Sequence, residues 1–262
     1  MKKILAAIDF FTRLPAWRIC SIPPRLYKRV VELWPLAGWV TGGLTALAIC
    51  LAMTVFPPFV SVTIGFAFRI LLTGALHEDG LADFADGFGG GTSRRRILEI
   101  MKDSSIGSYG TLTLIFYVLL LIATVSFLPA RWIPPIVAAA DPWSKSCAAQ
   151  LINFLPYARK ESEAKNRTVY ERMSASALAL CLICGAVPAV CVSWLQPPLL
   201  HPLLISALAP VCVIILMILY LRHKLGGYTG DCCGASAMLC ELAFYLTALA
   251  TVHIHTATFH IP

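Results

Sequence analysis

Apolar residues along this chain gather into seven long blocks, parted by short polar segments. The blocks run over 36–56, 59–76, 110–128, 132–155, 175–195, 203–221 and 233–252. Each is near the length of about 20 residues that carries a helix across a bilayer. Prolines 57, 58, 129, 156, 197, 198 and 202 stand at or just beyond the block ends, where helices break. Inside the blocks the charged residues are Arg69, Asp141, Lys145 and Glu241. An ionised group at the bilayer centre costs at least ~2.5 kcal/mol, so these side chains are expected to face the bundle interior or lie near an interface. Asp141 and Lys145, one helical turn apart, are expected to neutralise each other. Arg69 stands within reach of an anionic ligand held near His77. The predicted architecture is all-α: a polytopic transmembrane bundle of about seven spans, one domain over residues 1–262, with amphipathic helices on its cytoplasmic face.

Composition supports this. Hydrophobic residues make up 58% of the chain, charged residues 13%, and the mean hydropathy is +0.76. A soluble domain would carry about 25% charged residues. The net charge of +7 follows topology: eighteen of the 21 Lys and Arg fall in segments 1–35, 77–109, 156–174 and 222–232. Alternate loops thus hold the positive charge. This predicts that those four segments lie in the cytoplasm, with the N-terminus in and the C-terminus out. Basic residues without an interleaved aromatic stripe predict no nucleic-acid partner. The start resembles a signal peptide, but Asp9 and Arg13 interrupt it, so cleavage is not expected. Ile4, Leu5, Ile8, Phe11 and Leu14 instead predict an amphipathic helix lying on the membrane. Most of the ten cysteines sit in apolar blocks, as small hydrophobes.

Two polar windows are not explained by topology. In the first, Asp79, Asp83 and Asp86 stand at i, i+4 and i+7, within about 60° on a helix. Unpaired carboxylates that close repel one another. They describe either a solvated acidic face or a divalent-cation site, and hard oxygen donors suit Mg²⁺ shared with a substrate phosphate. Glycines 89–91 follow, then Arg94, Arg95 and Arg96, then Lys102, Asp103, Ser104, Gly107 and Gly110. Carboxylates for a metal beside cations for phosphate oxygens fit a diphosphate ligand. The second window holds Lys224, Gly226, Gly227, Thr229, Gly230, Asp231 and Gly234 at the inner mouth of the last block. A plain turn needs one or two glycines, whereas a loop that wraps a ligand uses more.

Four segments in order resemble the cobalamin synthases, the adenosylcobinamide-GDP ribazoletransferases. They are Phe11-Thr12-Arg13-Leu14-Pro15; His77-x-Asp79-Gly80-Leu81-Ala82-Asp83-x-x-Asp86-Gly87; Arg96 to Ser104 with Gly107-x-x-Gly110; and Leu225-Gly226-Gly227-x-Thr229-Gly230-Asp231 with Gly234-Ala235. Ser108-Tyr109 stands where the family often has histidine, so no acid–base role is assigned there. The resemblance implies an inner-membrane transferase that depends on Mg²⁺. It would join adenosylcobinamide-GDP to α-ribazole or its 5′-phosphate, giving adenosylcobalamin or its 5′-phosphate and GMP. Asp79, Asp83 and Asp86 would ligate the metal. His77, or Asp86 in place of metal ligation, would take the proton. Arg94, Arg95, Arg96, Lys102, Asp103, Ser104 and Gly107 would contact phosphate or substrate. Lys224, Gly227, Thr229, Gly230 and Asp231 would close on the nucleotide or ribazole. A homo-oligomer, or association with other enzymes of corrinoid assembly, stays open. The alternatives are a CDP-alcohol phosphotransferase, although Asp83 stands where that motif has arginine, and a small-solute transporter lined by the intramembrane charges.

Overall fold

The computed structural model describes residues 1–159 and 169–259. Lys160, Lys165 and Arg167, counted in the third basic segment, lie outside the described residues. The helices are α1 (Lys2–Phe11), α2 (Trp34–Ala52), α3 (Pro58–Thr73), α4 (Leu76–Gly90), α5 (Arg94–Ile100), α6 (Ser108–Ser126), α7 (Ile133–Ala148), α8 (Leu151–Phe154), α9 (Ala175–Leu195), α10 (Leu200–Lys224) and α11 (Gly230–Phe259). A 3₁₀ stretch, Pro24–Leu33, leads into α2. Proline opens several helices: Pro35, Pro58 and Pro134 occupy first-turn positions, where no intrahelical N–H is needed.

All seven apolar blocks fold as helix, but they do not give seven equal spans. Five helices are long and apolar enough to cross a membrane, and a sixth crossing results if α3 and α4 form one bent unit. The two short members are α3 and α7, at 16 residues each. Block 132–155 breaks near Ala149, leaving α7 at 16 residues with α8 as a separate turn. Almost every side chain of α7 is buried, between α2, α9 and α11. It is a central strut whose composition was set by protein contacts on all sides, so its hydropathy alone did not reveal its length.

The block at 59–76 stops at Thr73. Gly74 (φ 67°) and Ala75 (φ 58°) then take the left-handed conformation, and α4 leaves α3 at 89°. Ala75 is the sole non-glycine residue with positive φ among the described residues, a conformation that costs an L-residue about 1 kcal/mol or more. The acidic helix is thereby turned across the end of the bundle, where it packs on α5, α6 and α11. On α1, Ala6, Ala7 and Phe11 are buried. Lys3 and Arg29 both pair with Glu32, which is 1% exposed, and so fasten α1 to the 3₁₀ stretch.

The intramembrane charges are paired. Asp141 pairs with Lys145 as expected, and Thr41 Oγ1 accepts from Lys145 Nζ at 2.8 Å while donating to Asp141. Arg69 is engaged by Glu241 and stacks 4.7 Å from the centre of the Phe66 ring. Tyr245 donates to the same Glu241 oxygen at 2.9 Å. Truncating one member of a buried pair strands the other charge. Arg69→Met should therefore lower stability by about 3–5 kcal/mol, and Arg69→Met/Glu241→Met should regain most of it. Thermal unfolding of both variants in detergent measures the difference.

Candidate active site

Two segments distant in sequence meet where α4 crosses the start of α11. A Cβ on Gly80 would lie 3.1 Å from the Asp231 carbonyl oxygen and 3.4 Å from the Gly234 Cα. One on Gly234 would lie 3.4 Å from the His77 oxygen and 3.5 Å from the Gly80 Cα. Glycine on both helices lets the backbones approach this closely. His77 and Asp79 come from one side and Thr229, Gly230 and Asp231 from the other.

The loop before α11 is held by its own hydrogen bonds. Tyr228 N donates to Pro156 O at 2.9 Å, and Ala158 N donates to Tyr228 O at 2.8 Å. Gly227 carries no side chain because a Cβ there would come within 2.5 Å of Pro156 O. Arg94 joins the layers: Nε donates to Leu225 O at 2.8 Å and Nη2 to Ala158 O at 2.7 Å. Thr229 Oγ1 accepts from Cys232 N at 3.3 Å, capping the first turn of α11.

At this junction lies a cavity of about 150 Å³. Its polar wall carries Asp79, Arg159, Thr229 and Asp231, and its aromatic wall Phe10, Phe11, Trp34, Tyr157 and Tyr170, with His77 between them. The rings of Phe11, Trp34 and His77 lie within 14° of parallel, with centroids 5.0–6.3 Å apart. Trp34 Nε1, His77 Nε2 and Arg159 Nε are buried with no hydrogen-bond partner. Buried polar atoms are normally satisfied, and these three belong to side chains that line one cavity.

Asp86 stands elsewhere. Its carboxylate accepts from Gly107 N at 2.7 Å and from Gly110 N at 2.8 Å, one amide on each oxygen. A Cβ on Gly107 or Gly110 would strike that carboxylate. The separation follows from helix rise: seven residues advance about 10 Å along the axis even where three side chains share a face. Asp83 is half-buried, one turn beyond Asp79. Among the described residues, no three His, Cys, Asp or Glu side chains are grouped to hold a metal ion by themselves.

The remaining sequence candidates lie around these two places. Arg95 and Arg96 pair with Glu99 on the exposed face of α5. Arg96 and Asp103 line a second, open cleft with Asp86 and Gly107. Asp103 accepts from Ser105 N at 2.9 Å, which holds its carboxyl below the ordinary carboxylate range. Lys102, Ser104 and Lys224 are exposed and line neither. Phe10, Trp34, Tyr157, Arg159 and Tyr170 escaped sequence reasoning, because nothing local marks an aromatic residue that meets its partners only through the tertiary fold.

Asp86→Ala removes two charge-assisted acceptors at the start of α6 and should cost about 2–4 kcal/mol, with Asp86→Asn costing less. Amide hydrogen exchange over residues 107–111 should accelerate in the same order. Unchanged exchange in Asp86→Ala would contradict the tethering role.

Comparison with known proteins agrees with this arrangement of motifs. The family model described as "Cobalamin-5-phosphate synthase" matches residues 3–249. An adenosylcobinamide-GDP ribazoletransferase of Vibrio parahaemolyticus is 34% identical over 95% of this chain and 92% of its own. Those of Leptothrix cholodnii and Pseudoalteromonas atlantica are 37% and 38% identical, covering 94% and 95% of this chain and 94% and 91% of their own. No solved structure matches at a significant level. With the match running from α1 to the latter half of α11, the chain belongs to the cobalamin-5-phosphate synthase family.

Proposed function

We propose that this protein is an adenosylcobinamide-GDP ribazoletransferase of the bacterial inner membrane. It joins the corrinoid phosphate of adenosylcobinamide-GDP to α-ribazole, or its 5′-phosphate, and releases GMP. The observation that carries this reading is the cavity at the α4–α11 crossing, where acids, an arginine and a capped helix start converge on one small space.

The chemistry is attack by a ribose hydroxyl on the corrinoid-side phosphorus of a phosphoanhydride. One O–P bond forms, the anhydride O–P bond breaks, and GMP departs. The hydroxyl proton needs an acceptor, and we assign it to His77, which lines the cavity and whose Nε2 has no partner in the fold. Charge on the non-bridging oxygens needs donors, which Arg159 and the amides at the start of α11 supply. Asp86, with both oxygens taken by amides, is assigned to positioning: it holds α6 against the helix that carries His77 and Asp79.

Mg²⁺ fits the donor set. It takes one or two carboxylates and completes its shell with water and phosphate oxygens, so Asp79 and Asp231, which border the same cavity, suffice. Asp83 stands one turn away as a further donor. Bound there, Mg²⁺ would neutralise charge on the diphosphate. Arg95, Arg96, Lys102 and Lys224 give the surrounding surface a basic character suited to an anionic substrate. That surface and the cavity mouth are assigned to the cytoplasm, with the N-terminus in and the C-terminus out.

In lipid nanodiscs, the purified protein should form GMP only when both substrates and Mg²⁺ are present. Asp79→Asn and Asp231→Asn should each lower kcat by roughly 10²–10³-fold without moving the melting temperature. Near-normal turnover in both variants would remove the cavity from the mechanism, and GMP formation without ribazole would replace transfer with hydrolysis.

A further inference from the structure

The aromatic wall of the cavity has no role in the phosphoryl chemistry. Phe10 and Phe11 come from α1 and Trp34 from the start of α2, with Tyr170 packed edge-on to Phe10 at 6.1 Å between ring centres. Trp34 is 1% exposed, and its indole N–H, a donor only, has no partner. The unpaired N–H belongs to a residue that lines the cavity. A planar ligand with one ring acceptor would complete it.

We propose that this aromatic wall receives the base of the acceptor nucleoside, with the Trp34 indole N–H donating to the ring nitrogen. The assignment deepens the transferase reading and rests on it for the identity of the nucleoside. Three features favour the acceptor base over the rest of the substrates. A volume of about 150 Å³ admits a small arene, so the corrin macrocycle stays outside. The base of α-ribazole is a benzimidazole, which offers one lone pair in the ring plane, and Trp34 offers one donor. Guanine would need strong acceptors for its N–H groups as well, and the carboxylates that line the cavity come from α4 and α11, not from the aromatic wall. Seated against Phe11 and Trp34, the base would leave its ribose toward His77 and Asp79, where the attacking hydroxyl is required.

The experiment separates binding from turnover. Equilibrium dialysis of radiolabelled α-ribazole against the protein in nanodiscs gives Kd without any reaction, and steady-state GMP release gives KM for each substrate. Trp34→Phe keeps a ring and removes the donor. It should raise both Kd and KM for α-ribazole about tenfold, the effect of one buried hydrogen bond, and leave KM for adenosylcobinamide-GDP unchanged. Tyr170→Leu, at a half-buried position less demanding of the fold, should shift the same constants in the same direction. Unchanged ribazole Kd in both variants, or no ribazole binding by the unaltered protein, overturns the assignment. So does a rise confined to the KM for adenosylcobinamide-GDP, which would give the wall to guanine. Normal GMP release with unchanged ribazole constants sinks this inference and spares the transferase. Ribazole binding that weakens in Trp34→Phe without any GMP release does the reverse.

Discussion

The close crossing of α4 over α11 at Gly80 and Gly234 is the contact on which the site depends. Neither helix carries enough chemistry alone. α4 brings His77 and Asp79, and α11 brings its own capped first turn and Asp231. The crossing requires α4 to leave the axis of α3, which the left-handed pair Gly74 and Ala75 accomplishes at 89°. A straight continuation of α3 would carry the acids away along the bundle axis. The strained alanine thus sits at the place where a change of direction matters most, as backbone strain often does near functional sites.

The buried ion pairs explain how such a crossing stays rigid. Glu241 lies about three turns into α11 and is fixed to Arg69 on α3 and to Tyr245 on α11. Asp141 and Lys145 on α7 are tied to Thr41 on α2. Charges in apolar surroundings tolerate little misalignment, since a broken pair leaves an unsolvated ion. The helices that frame the site therefore have one register in which all four charges are satisfied. The same four residues had suggested a transport path. Each now has a partner that accounts for its burial.

What the sequence revealed, and what it hid, divides along a physical line. The positions of the apolar helices, the amphipathic start and the i, i+4 neutralisation of Asp141 by Lys145 depend on local periodicity and hydropathy, and they were legible. The two glycine- and acid-bearing windows were also visible as places of unusual chemistry. Their juxtaposition was not, because it depends on the Gly74–Ala75 turn. Sharing a helical face made Asp79, Asp83 and Asp86 look like one cluster, but angular position says nothing of axial rise. Asp86 consequently reaches the glycine amides of α6 while Asp79 borders the cavity. Gly107 and Gly110 were noticed as a motif, and only the fold shows that their missing Cβ atoms make room for a carboxylate. Hydropathy could not show that α7 stops at Ala148, because a helix buried among helices is as apolar as one in lipid.

Cavity size has a further consequence for how two such different substrates would meet. About 150 Å³ suits a small nucleoside base and is far too little for a corrinoid. The acceptor would therefore be enclosed, while the donor presents only its diphosphate at the mouth. That division suits a site built at the end of a membrane bundle. The enclosed side can be dry and aromatic, which makes a single indole N–H selective. The open side can be basic and wide, which draws an anionic diphosphate without having to match the shape of the macrocycle attached to it. Selectivity for the acceptor would then reside in packing against α1 and α2, and recognition of the donor in charge on α5 and the ends of α10 and α11. Two unlike binding problems would then be solved by different parts of the fold, which meet at His77, Asp79 and Asp231 along the cavity.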